Sequence, residues 1–195
     1  MRIVLASRNK GKLAELQSLL EGLPAELESQ AQHDVPSAEE TGTTFIENAI
    51  LKARSVAAAT GLAALADDSG LVVPALGGAP GIYSARYAGK HGDDHANNQK
   101  LIASLKNVAD RKAYFYCAIA MMRHATDPAP LIATARWDGE IVDDALGENG
   151  FGYDPHFFIP TMAQTSAQLS PPEKNLLSHR GQAMSRLVEQ LRNLL

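Results

Sequence analysis

The sequence predicts an α/β domain, and three observations carry that expectation. A short apolar run at residues 2–6 is followed by a polar turn and then by leucines at 13, 16, 19 and 20, spaced for one helix face. Thr44 and Glu47 match the S/T-x-x-E capping box ahead of apolar positions 46, 49, 50, 53, 56 and 57, and this helix leads directly into another apolar run. Segments 113–122 and 131–137 flank the turn-forming stretch 126–130, as paired strands do. Strands alternating with helices over 195 residues describe one sheet-and-helix domain, with room for a division into two lobes by a cleft.

Each element has its own signal. Gly22 sits where a helix over 12–21 should stop, and Gly61 closes the helix that Thr44 opens. Residues 62–66 read as a short strand ending at Asp67-Asp68-Ser69-Gly70, with 71–73 beyond it. Residues 77–81 read as a loop, and Asp93 or Asp94 caps a helix carrying Leu101, Ile102, Leu105 and Val108. A glycine-rich loop over 143–155 leads into a strand at 156–159. Ser170, Pro171 and Glu173 supply a cap, an N1 proline and an N3 glutamate. A last helix starts near Ser178, with apolar residues at 184, 187, 188, 191, 194 and 195.

Composition narrows the function. A hydrophobic content of 45% is that of a globular protein, and a chain of this length buries roughly 70% of its unfolded surface without needing disulfides. The single cysteine, Cys117, lies in an apolar run and reads as a small core residue. Charged Arg8, Lys10 and Lys12 follow the first apolar run at once, so no signal peptide is expected, nor any membrane span, and the cytoplasm is the expected location. The formal charge of −4 argues against a nucleic-acid partner, which calls for a basic face. An anionic substrate therefore needs a local cationic pocket.

Five segments bear chemistry. Ser7-Arg8-Asn9-Lys10-Gly11-Lys12 gathers cations and a glycine between a strand and a helix start, where backbone N–H groups receive phosphates; a solvated turn explains it equally well. It is not a Walker A loop, because Ala6 and Leu13 stand at positions which that motif reserves for glycine and Ser or Thr. Glu39-Glu40 precedes the Thr44 cap, a placement that the helix dipole alone would favour. Lys52 has no carboxylate one helical turn away and so is expected to face a phosphate. Asp67-Asp68-Ser69-Gly70 is either a β-turn or a pair of carboxylates able to hold Mg²⁺ and deprotonate a water. Gly150-Phe151-Gly152-Tyr153-Asp154-Pro155 offers a ring on which a base can stack, or a structural loop with a buried aromatic. In Ser178-His179-Arg180 a cation stands in a helix's first turn, which suggests an anionic or carbonyl partner, while His179 alone is more often structural. His91 and His95, four apart with two carboxylates between them, look like a metal site but are explained more simply by a loop entering a capped helix.

Together these segments resemble one family, the inosine triphosphate pyrophosphatases, also called dITP/XTP pyrophosphatases. The resemblance runs in order through 7–12, Glu39-Glu40-Thr41-Gly42 with 45–49, 66–70, 77–87, 150–155, Glu173-Lys174-Asn175 and 178–180. Asn149 departs from it, since many relatives carry glycine there. The resemblance implies a two-lobed protein around a long mixed sheet, its substrate in a cleft, working as a homodimer with Mg²⁺. It implies cleavage of ITP, dITP and XTP to the monophosphate and pyrophosphate. By the same resemblance Asp68 is the proton acceptor and a metal ligand, and Glu40 a second acidic group at the metal. Ser7, Arg8, Asn9, Lys10, Gly11, Lys12, Lys52 and Ser69 fall on the phosphate side; Phe151, Gly152, Tyr153, Asp154, Lys174, His179 and Arg180 fall on the nucleoside side. Rival readings are a pyrophosphatase for modified pyrimidine nucleotides and a non-catalytic nucleotide sensor.

Overall fold

A computed structural model describes residues 1–8, 13, 16, 17, 20, 22 and 24–192. Among them a mixed seven-stranded sheet runs in the order β2-β1-β3-β4-β5-β6-β7. The strands are β1 (Arg2–Leu5), β2 (Glu26–Ser29), β3 (Ala63–Val72), β4 (Lys112–Met122), β5 (Leu131–Ile141), β6 (Phe157–Ile159) and β7 (Gln164–Thr165). β1 pairs in parallel with β2 and β3, with Ile3 opposite Leu27 and Ala63. β5 with β6 and β6 with β7 are antiparallel. The helices described from end to end are α1 (Phe45–Thr60), α2 (Asp94–Ser104), α3 (Pro171–Leu177) and α4 (His179–Arg192). None of the described helices is long and apolar enough to cross a membrane.

The local reasons for the helices are those read from the residues. Thr44 accepts the Glu47 N–H at 3.2 Å, and the Glu47 carboxylate reaches back to the Thr44 N–H at 2.9 Å, so two otherwise unpaired donors at the start of α1 are satisfied. Gly61 ends α1 in a left-handed conformation. Ala49, Ala53 and Ala57 line its buried face, where small side chains let the helix lie close to its support. Ser170 and Glu173 repeat the capping box at α3. Of the expected helix at 12–21, Leu13, Leu16 and Gln17 are helical and Leu16 and Leu20 are buried; most of the rest of it lies outside the described residues.

Chain packing divides into two compact units, one comprising Met1–Asp68, Cys117–Thr134 and the stretch from Gln182 onward, the other Ser69–Tyr116 and Ala135–Gly181. In the first unit Ile3, Leu5, Ala53, Val56 and Leu65 are buried, and so is the side chain of Cys117. The second has an aromatic core in which Phe115 lies 4.5 Å and Trp137 5.4 Å from Phe157, ring centre to ring centre. Aromatic pairs at these separations add to the burial of their area.

One expectation is corrected here. Asp67-Asp68-Ser69-Gly70 is not a turn closing a short strand; β3 passes straight through it. β3 has a sheet neighbour on each side, and backbone pairing there overrides the turn preference of the four residues. Within the strand, position 70 has no room for a larger residue, since a Cβ there would lie 2.4 Å from Ser84 Oγ and 2.6 Å from the Gly81 carbonyl.

Candidate active site

In the first unit a loop, a helix and a strand bring three charges to one point. Lys52, on α1, donates to Glu40 Oε1 at 2.9 Å and to Asp68 Oδ1 at 2.8 Å. The three side chains are 16%, 27% and 12% exposed. Both carboxylates therefore face the same nitrogen in a setting only partly wetted. Lys52 is thus not awaiting a phosphate unaccompanied, as the absence of a helical partner suggested. Its partners come from 12 and 16 residues away in sequence, beyond any helical window.

Burial would lower the Lys52 ammonium, but the charges of Asp68 and Asp67, the hydrogen bond to Asp68 and the charge of Glu40 outweigh it and hold its pKa above the ordinary value. Burial pushes the Asp68 carboxyl up; Lys52 pulls it back, Glu40 and Asp67 push the same way as burial, and the balance lies above the ordinary carboxylate value. Such a carboxylate is a better proton acceptor than an exposed one. Two carboxylates, Asp68 and Glu40, share one ammonium, which leaves negative charge in excess, and oxygen donors with that excess suit a hard divalent cation.

A further contact to Asp68 comes from Asn48, a polar residue fully buried on the apolar face of α1. Its Oδ1 accepts the Gly42 N–H at 2.8 Å and its Nδ2 lies 3.4 Å from Asp68 Oδ2. Because a backbone N–H can only donate, the amide is fixed with its NH₂ toward Asp68. A carboxamide interrupting a stripe of alanines was the available sign, and reading for charged residues passed over it.

The second unit holds an aromatic ring among cations. Phe151 is 62% exposed, with Lys174 Nζ 4.9 Å and the Arg180 guanidinium 5.7 Å from its ring centre. Arg180, in the first turn of α4, donates to Ser69 Oγ at 3.3 Å. Asp154 is buried and accepts from the Phe151 N–H at 2.8 Å, from Ser166 Oγ at 2.8 Å and from Lys174 Nζ. Its carboxylate is thereby spent on shaping the loop and holding Lys174. Gly150 stands at φ +81°, and a Cβ there would lie 2.1 Å from the Asp154 carboxylate. Just ahead of it, Asn149 donates its backbone N–H to the Ala167 carbonyl at 3.0 Å and its side chain to that of Leu169 at 3.1 Å.

Other expected contacts are placed differently. Tyr153 points into the aromatic core, 4% exposed, its hydroxyl donating to the Ser84 carbonyl at 2.8 Å, so its ring supports the loop and does not present itself to a nucleoside. Burial raises that hydroxyl to a pKa well beyond the ordinary phenol value. The His179 ring is buried and stacks on Phe115 at 4.9 Å with 11° between planes. Ser7 accepts from Ser29 Oγ through its carbonyl at 2.9 Å, and Arg8 donates to the Val35 carbonyl at 3.3 Å. Asn9, Lys10, Gly11 and Lys12 lie outside the described residues. In the His91–His95 stretch Asp93 caps α2 through the Ala96 N–H.

Residues 3–190 match the sequence model of the Ham1 family. The chain belongs to the Ham1 family. The dITP/XTP pyrophosphatase of Nitrosomonas europaea is 52% identical over 97% of this chain and 94% of its own. That of Shigella flexneri is 54% identical over 98% of each. The structure of a HAM1 protein from Coxiella burnetii superposes with a TM-score of 0.96 at 51% identity, covering 99% of both chains. The mixed sheet and its helices are thus the Ham1 fold, and the two clusters described above lie on a Ham1 framework.

Proposed function

We propose that this Ham1 chain is a nucleoside-triphosphate pyrophosphatase that cleaves the deaminated purine nucleotides ITP, dITP and XTP to the monophosphate and pyrophosphate. It does so with Mg²⁺, and it keeps such nucleotides out of DNA and RNA. The whole of residues 1–195 makes up the pyrophosphatase domain, and it works in the cytoplasm as a homodimer. The relatives' names support the substrate class. The observation that carries the chemistry is Asp68, held beside Glu40 by one lysine and raised above the ordinary carboxylate pKa.

The donors fit the metal. Among the described residues no group of three His, Cys, Asp or Glu side chains forms a cage, but Mg²⁺ typically needs only one or two carboxylates, and Asp68 and Glu40 would hold it. Bound there, it would neutralise charge on the triphosphate. Asp68 accepts the proton of a water attacking the α-phosphorus; the α–β anhydride bond breaks and pyrophosphate leaves. Lys52 donates to oxygens that gain charge in that step, and Ser69 with residues 7–12 binds the phosphates.

The base stacks on Phe151, while Arg180 and the backbone near His179 donate to the 6-keto oxygen of hypoxanthine or xanthine. Adenine offers an amino donor at that position, so donor would meet donor; a site of this kind discriminates by roughly 10⁴. The test is to incubate purified protein and Mg²⁺ with ITP, XTP, GTP and ATP and identify the products. Pyrophosphate from ITP and XTP is expected. Release of single phosphate, or nucleotide binding without turnover, would overturn the proposal.

A further inference from the structure

The loop carrying Phe151 is gripped by a helix that the reaction itself does not use. Gly152 donates its N–H to Asp94 Oδ2 at 2.7 Å, and its carbonyl accepts from Asn98 Nδ2 at 2.8 Å. Since a carbonyl can only accept, the Asn98 amide is fixed with its NH₂ toward the loop. Asp94 and Asn98 are four apart on α2 and so lie one above the other on a single face. One helix face thus takes both polar groups of one loop peptide residue, in the way a neighbouring strand would.

The grip has a firm base. Asp93 caps α2 at its start, and Leu101 and Leu105, near its end, are fully buried in the aromatic core of the second unit. Asn97, also buried on α2, accepts the Ala88 N–H at 2.7 Å. With the Phe151 N–H taken by Asp154, three of the four polar backbone groups of Phe151 and Gly152 are held by side chains, and the fourth, the Phe151 carbonyl, accepts the Asp154 N–H at 3.3 Å. Phe151 itself leaves most of its ring in solvent. Apart from the Lys174 and Arg180 cations beside it, a ring held out in this way gains little from packing, so its placement depends on the backbone beneath it.

We infer that Asp94 and Asn98 are positioning residues for nucleoside recognition: without touching the nucleotide, they fix the Gly152 backbone so that the Phe151 ring is presented in one place. The inference rests on the reading of Phe151 as the ring that receives the base. What matters at Asp94 is the acceptor oxygen, not the charge.

That distinction makes the test decisive. Asp94→Asn keeps an acceptor oxygen and loses the charge in the first turn of α2; Asp94→Ala loses both; Asn98→Ala loses the donor. The first measurement needs no nucleotide: the rate of chymotryptic cleavage at Phe151–Gly152, followed by mass spectrometry. Asp94→Ala and Asn98→Ala are expected to be cut about tenfold faster, the factor that follows from losing one net backbone hydrogen bond, with Asp94→Asn restoring the slow rate. The second is steady-state ITP hydrolysis, where KM is expected to rise about tenfold in the same two variants with kcat within about twofold. Unchanged cleavage in both alanine variants overturns the grip, and so does Asp94→Asn behaving like Asp94→Ala, which would mark a helix-dipole effect. Faster cleavage with an unmoved KM overturns its role in recognition. Failure of the unaltered protein to cleave ITP at all counts against the proposed reaction, while the proteolysis still judges the grip.

Discussion

Replacing Lys52 with methionine keeps most of the side-chain volume and deletes the one cation shared by Glu40 and Asp68. The ammonium lies 2.9 Å and 2.8 Å from its two partners, and all three side chains are more than two-thirds shielded from water. Removing one member of a fully buried pair costs about 3–5 kcal/mol, because the remaining charge is left unpaired; the residual exposure here trims that to about 2–4 kcal/mol. The sign of the pH dependence follows from Asp68. Its folded pKa already lies above the unfolded value, and Lys52 is the group pulling it down, so the variant raises it further. A group with a raised folded pKa binds more protons folded than unfolded, so its contribution to stability falls as pH rises through the folded value. The deficit of Lys52→Met is therefore larger at about pH 8 than at about pH 5, because acidification favours the protonated carboxyl, which needs no cation beside it. Urea unfolding of both proteins without nucleotide, at the two pH values, measures it. An equal deficit at both, or one under about 1 kcal/mol at the higher pH, would refute the electrostatic account.

Asp68→Asn should abolish release of pyrophosphate from ITP while leaving nucleotide affinity, read by calorimetry, within about tenfold, since the carboxamide keeps the shape and still accepts from Lys52. Near-normal turnover would remove Asp68 from the chemistry. Arg180→Ala should lower the ratio of kcat/KM for ITP over ATP by about tenfold or more, and an unmoved ratio would place base selection elsewhere. Tyr153→Phe should lower stability in urea by about 1–2 kcal/mol, because the buried Ser84 carbonyl loses its donor, with the KM for ITP unchanged. A raised KM at full stability would return Tyr153 to the substrate.

Signals written into a few adjacent residues were readable beforehand. Thr44 with Glu47, Ser170 with Glu173, and Gly61 announced the ends of α1 and the start of α3, because caps depend on contacts within one turn. β2 was not legible: Glu-Leu-Glu-Ser has one buried apolar side chain and lies at the sheet edge, where half of the usual pattern is missing. Nor was the continuity of β3 through Asp67–Gly70, since the pairing that holds those residues extended comes from strands distant in sequence. The acidic and basic candidates at 40, 52 and 68 were visible one by one. That Lys52 joins the other two depended on the tertiary fold. Tyr153 shows the opposite failure: it stands between motif residues, and yet its ring is core. A residue's place in a motif does not reveal which way its side chain turns.

Asn149 bears on how the Phe151 loop meets its ligand. A glycine there would give up the tie to the Leu169 carbonyl and widen the range of shapes the segment samples before anything binds. With asparagine, that freedom is surrendered once, when the polypeptide folds, and not again at every encounter with a nucleotide. Capture at such a preorganised loop carries a small entropic penalty, so base affinity reflects the contacts made more than the motion lost.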